Sequence, residues 1–172
     1  LHWVKYSDNA RAALDETPGT FRAISVVETA MACLSDMAAD TATLGSIHVL
    51  PISTALIKWF ERCSVVLDIV YCVLAMVTGA VHLARKQNAL LTVPVSKRAG
   101  AEHKILLQRL GLIKYCCDFV KDFHGLDLRG LTGTGVPATF ALSAGLASGA
   151  ISTHSWLNKL KPPSVEHIKT AA

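Results

Sequence analysis

Apolar residues recur along the chain in four helix-length stretches, separated by short breaks rich in glycine, proline or charge. The first follows the turn signal Thr17-Pro18-Gly19, with Thr20 placed to cap a helix. Over residues 20–41, Phe21, Ile24, Val27, Met31 and Leu34 repeat at three- and four-residue steps, whereas Arg22, Ser25, Glu28 and Asp36 fall largely elsewhere. That spacing predicts an amphipathic helix that packs its apolar side inside a bundle, with an interfacial position as the second option.

A second helix is predicted over 51–86, with Pro51 in its first turn. Its second half, Cys63 to Ala84, is apolar almost throughout. At roughly 1.5 Å per residue it is long enough to cross a hydrocarbon layer of about 30 Å. Asp68 and His82 interrupt the run. His82 lies near its end, within reach of headgroups. Asp68 lies further inside and is expected to face another helix, water or a positive partner, as a structural carboxylate ahead of a proton relay.

Residues 87–100 break at Pro94 and Gly100 and read as an exposed basic loop. Arg85, Lys86, Lys97 and Arg98 gather around it and offer a contact for lipid headgroups, with ordinary membrane flanking as the simpler explanation. Residues 101–123 form an amphipathic helix, with Ile105, Leu106, Leu110, Ile113, Cys117 and Val120 on one side. After Gly125 and Gly130, residues 131–157 make the second candidate span, uncharged from Leu131 to Ile151. Ala141, Gly145 and Gly149 fall four apart on one face, where small side chains admit close approach of another helix, from a second copy or from the same chain. Trp156 marks an interface, and Lys159, Lys161, Pro162 and Pro163 close the helix before a tail over 158–172.

The reading is an all-α integral membrane helical bundle, one domain over 1–172, with about two transmembrane and two amphipathic helices. Composition agrees: 51% of residues are hydrophobic and 17% charged, against about 25% charged in soluble domains. A net charge of +4 with 6% aromatics favours lipid headgroups over nucleic acid as partner. The chain opens at Leu1, compatible with processing or truncation, and its first residues do not resemble a secretory signal.

Chemistry is sparse. The five cysteines are odd in number and lie mostly in apolar runs, so no disulfide framework is implied. The seven histidines are dispersed, with no HExxH or paired CxxC pattern to hold a metal. Cys116-Cys117 reads as packing ahead of redox chemistry or acylation. Gly130 to Gly135, GLTGTG, is followed by no Lys-Ser/Thr, and no GxSxG is present. Neither an enzyme, nor a cofactor, nor a small-molecule substrate is indicated.

Two regions add a resemblance. Trp3-Val4-Lys5-Tyr6-Ser7, followed by Arg11, is similar to the opening of the peroxin-11 family of membrane-elongating proteins. The segment LIKYCCDFVKDFHGLDLRGLTGTGVPATFALSAGLASGAIST, with Trp156-Leu157 after it, resembles that family's basic helix, glycine-bearing loop and small-residue terminal span. The resemblance covers the two ends, about a third of the chain. It implies a peroxisomal-type membrane protein that inserts amphipathic helices, self-associates and promotes elongation or fission. The first helix departs from the pattern in having few basic residues, which bears on curvature activity. The rival reading is an accessory subunit of a larger organellar complex, for example in the mitochondrial inner membrane. A channel or carrier comes third and rests on Asp68. Expected partners are membrane lipids and either further copies or other membrane subunits.

Overall fold

The computed structural model describes residues 10–11, 13–15, 19–92, 94–126 and 136–160. The fold is all-α, with long helices α1 (Thr20–Ser46), α2 (Thr54–Leu90), α3 (Val95–Gly125) and α4 (Ala138–Leu160), and the described residues include no strand. Each helix packs on its neighbour in sequence: α1 on α2, α2 on α3, and α3 on α4. No other pair of these helices meets. The four long helices thus follow one another in a row, each packed on its neighbours in sequence.

The helix ends follow from local chemistry. Gly19, not Thr20, holds the N-cap of α1 at φ 138°, a backbone region that a Cβ disfavours. At the other end Val49 N–H donates to Leu44 O and His48 N–H to Gly45 O, the paired bonds of a Schellman cap, with His48 at φ 60° where glycine is usual. Gly45 is needed there for space: a Cβ would lie 2.6 Å from Ile52 Cδ1 and 2.9 Å from Ile57 Cγ1. Ser53 caps α2 by accepting from Leu56 N–H, so Pro51 sits in the connecting turn and outside the helix.

The basic stretch 87–100 is not a loop. α2 runs on to Leu90, and Pro94 occupies the N-cap of α3, where its fixed φ and missing N–H cost nothing. Gly100 is absorbed inside the helix. Consequently α3 begins at Val95, earlier than its apolar periodicity indicates.

Packing is inverted relative to a soluble domain. The buried positions of α1 are Ser35, Ala38, Ala42 and Gly45, and those of α2 are Ser64, Cys72, Ala75, Thr78 and Gly79. Small residues let the backbones approach closely, which is how helices associate in lipid. Many large apolar residues are exposed. Val66, Val70, Val73 and Val77 form a stripe along α2 and are 38–48% exposed. On α1 the predicted stripe is split: Val27 and Leu34 are exposed, whereas Phe21, Ile24 and Met31 are half-buried and the fully buried positions are small residues. The predicted apolar side of α3 is split, with Ile105 buried and Leu106 and Ile113 exposed.

Among the described residues one helix, α2, is long and apolar enough to cross a membrane. α4 does not reach that standard, because glycine, serine and threonine dilute its hydrophobicity, and residues 131–135 of the predicted span lie outside the described residues. Trp3 to Ser7, Pro18, the GLTGTG run and Lys161 to Pro163 also lie outside them.

Candidate functional site

Polar side chains on the inner faces join each helix to the next. Between α1 and α2, Ser35 Oγ donates to Asp68 Oδ1 at 2.6 Å, and Thr78 Oγ1 donates to Glu28 Oε2 at 2.6 Å. Between α2 and α3, the hydroxyls of Tyr71 and Tyr115 are 3.3 Å apart, and Lys86 Nζ donates to Gln108 Oε1 at 2.9 Å. Between α3 and α4, Ser148 Oγ donates to Asp118 Oδ1 at 2.5 Å, while Lys114 Nζ holds Oδ2 of the same carboxylate at 2.6 Å. His124 Nδ1 lies 2.7 Å from Val136 O. A carbonyl only accepts, so the ring carries its proton on Nδ1 and ties the end of α3 to the start of α4.

Asp68 therefore faces another helix, and its partner is a serine. The cation nearest in role is Lys121 of α3, which pairs with Asp122 at 3.2 Å. Asp122 is buried, and burial pushes its carboxyl up to about 6 against the pull of Lys121, with Asp68 and Asp118 adding to the rise. Burial alone would lower the Lys121 ammonium, but Asp122, Asp118 and Asp68 outweigh it and raise it.

The predicted packing face of α4 is rotated. Ala141 is buried, and a Cβ on Gly145 would lie 3.8 Å from Lys121 Cδ, so both turn toward α3. Gly149 is exposed with nothing within 4 Å of a Cβ, and Ser148 takes its place on the inner face. A step of seven from Ala141 to Ser148 follows the helical period more closely than two steps of four. The sequence signal for Ser148 was its place among small residues, which the glycine spacing overrode.

Arg85, Lys86, Lys97 and Arg98 come together at one end of the row, on the last turns of α2 and the first turn of α3, and all are exposed. Arg85 lies 4.5 Å from the centre of the Phe21 ring, and Arg98 pairs with Glu102 at 3.1 Å. This basic end is about two turns beyond Thr78 on α2.

Alongside α2, between α1 and α3, runs a half-open groove of about 460 Å³. Glu28, Tyr71, Thr78, His82, Lys114 and Tyr115 supply its polar lining. Nothing in the sequence pattern points to it, because its walls come from three helices and from Ala13, whose relative placement is set by packing. Among the described residues no group of three His, Cys, Asp or Glu side chains converges as a metal site requires. The cysteines are free thiols. Cys116 Sγ lies 3.5 Å from Met76 Sδ, and burial, with Asp118 and Cys116 adding, raises the Cys117 thiol and disfavours its reactive anion. The arrangement thus offers helix-to-helix hydrogen bonds, a basic end and a groove. Compared with family models, curated proteins and solved structures, the chain matches none.

Proposed function

We propose that this protein resides in an organelle membrane of the peroxisomal type and shapes it, in the manner that the resemblance to peroxin-11 implies. The observation that carries the membrane part is the inverted packing of α2. Val66, Val70, Val73 and Val77 face outward while Ser64, Cys72, Ala75, Thr78 and Gly79 face in, and only 28% of the apolar window is buried. A soluble core helix of this length would bury most of that surface. Lipid removes the need, since apolar side chains are stable facing hydrocarbon and polar ones are driven inward.

Shape change then follows from asymmetry between the ends of the row. α2 anchors the protein. The basic end formed by Arg85, Lys86, Lys97 and Arg98 sits among anionic headgroups, with the amphipathic start of α3 shallow in the same leaflet. Material inserted on one side expands that leaflet, and copies assembled side by side add their strain. Copies meet along α4, where Phe140, Leu142 and Leu146 are exposed.

The test is electron microscopy of liposomes carrying the purified protein at graded density. Tubules on anionic vesicles, reduced on neutral ones and in a Lys97→Glu/Arg98→Glu variant, are expected; spherical vesicles at high protein density count against the proposal. A second reading is favoured by the same exposed Phe140, Leu142 and Leu146 on α4: an accessory subunit docked in a larger membrane complex. Native gels after mild detergent extraction separate the two, with a ladder of homo-oligomers for the first and one large hetero-complex for the second.

A further inference from the structure

We propose that α1 crosses the membrane beside α2, so that one belt of lipid acyl chains covers both helices. This rests on the reading that α2 spans the membrane and adds a second crossing to it.

Contacts along the two helices set their register. The Phe21 ring stands edge-on to His82, with centroids 5.1 Å apart. Further along, Thr78 Oγ1 donates to Glu28 Oε2 and Ser35 Oγ donates to Asp68 Oδ1, both at 2.6 Å. At the far end a Cβ on Gly45 would lie 2.9 Å from Ile57 Cγ1. α1 therefore runs antiparallel to α2 and stays beside it from Phe21 to Gly45, about 24 residues or roughly 36 Å. That exceeds the about 30 Å of a hydrocarbon layer. A helix held in this register against a spanning α2 shares its depth level by level and cannot lie flat among the headgroups. Ala30 stands level with Val73, and Asp40 with Cys63.

The exposed surfaces fit that depth. On α2 the exposed residues from Cys63 to Ala84 are Val66, Val70, Val73, Val77, Ala80 and Ala84, with exposed Arg62 and Arg85 immediately outside. On α1 the exposed residues from Phe21 to Ala39 are Ala23, Val26, Val27, Ala30, Leu34 and Met37, and the next one is Asp40. The two apolar surfaces thus begin and end at the same levels. Arg22, Glu28 and Asp36 make α1 less apolar than α2 in composition, but all three are half-buried, and Glu28 accepts from Thr78. Lipid meets only the exposed face, while polar groups at membrane depth turn toward a neighbouring helix. α1 and α2 then form a transmembrane hairpin whose turn, residues 47–53, emerges on the side opposite Arg85 and Lys86.

The test measures depth by spin label, with the full chain in phosphatidylcholine/phosphatidylglycerol vesicles. Labels are carried on a ketone-bearing residue, which leaves the native thiols unlabelled, and stand one at a time at Ala23, Ala30, Asp40 and Val73. The ratio of oxygen to nickel-chelate collisions is expected to place Ala30 at the depth of Val73, within one helical turn of about 5.4 Å. Ala23 and Asp40 are expected to be shallower than Ala30. Ala30 shallower than Val73 by more than one turn, or uniform depth across the three α1 sites, overturns the second crossing and leaves α2 spanning. Free access of nickel to Val73 overturns both. Should the label at Ala30 abolish the helical circular dichroism, Leu34, where a large side chain is already exposed, takes its place and is expected at the depth of Val70.

Discussion

Ser35 of α1 is 1% exposed, and its hydroxyl lies 2.6 Å from Oδ1 of Asp68 on α2 and 3.1 Å from the carbonyl of Ser64. The hydroxyl has one proton, and the shorter, charged acceptor takes it. Replacing Ser35 by alanine strands the carboxylate against α1 and is expected to destabilise the protein by about 2 kcal/mol. Asp68→Asn keeps an acceptor for Ser35 and is expected to lose less. Denaturation in detergent, followed by helical circular dichroism, gives both values. Because Asp68 is occupied in holding α1, reconstituted vesicles are also expected to show equal ion flux for wild type and Asp68→Asn.

Asp122 makes stability depend on pH. Its folded carboxyl titrates at about 6, above its usual 3.8, so the folded state binds the proton more tightly than the unfolded state. Stability contributed by the protonated form is complete below the unfolded value and is lost as pH rises through the folded one. Lys121, Asp68 and Asp118 are the charges that act on it, and Lys121 limits the loss. The loss is on the order of 3 kcal/mol between pH 4 and pH 7. Asp122→Asn is expected to flatten that decline, read as the unfolding temperature across the same range.

His48 pays for a left-handed turn. With φ at 60° it fills the Schellman position that glycine fills without strain. His48→Gly is expected to stabilise the α1–α2 hairpin by about 1 kcal/mol. Thermal unfolding of the variant checks it, and an unchanged or lower midpoint argues against strain at this residue.

On α4 the inner face is Ala141, Gly145 and Ser148. Ser148→Ala removes the hydroxyl that bonds Asp118 and is expected to cost about 2 kcal/mol. Gly149→Ala, on the open side, is expected to stabilise by up to about 1 kcal/mol through helix propensity. Equal losses at the two positions, measured by the same denaturation, point instead to a packed glycine face.

The helical class and the positions of the helices follow from apolar stretches and turn residues, and these are visible in sequence. Which face packs is not. Periodicity marks Phe21, Ile24, Val27, Met31 and Leu34 as one stripe, but the helix is rotated so that Phe21, Ile24 and Met31 are half-buried while Val27 and Leu34 are exposed. Ser35, Ala38, Ala42 and Gly45 form the packed face and score as weakly apolar, so they pass unnoticed. Pro94 and Gly100 read as breakers by residue type alone, but at an N-cap proline starts a helix. Asp68 was legible as a polar group needing a partner, whereas Ser35, 33 residues away, was not. The groove was the least legible feature, since no single helix contains it.

Spin labels placed one at a time at Val66, Val70, Val73 and Val77 in reconstituted vesicles report whether the outer valine stripe of α2 faces hydrocarbon. High collision rates with oxygen and low rates with a water-soluble nickel chelate are expected, most strongly at Val70 and Val73, nearest the middle of α2. Nickel accessibility equal to that of a label at Lys97 would contradict it.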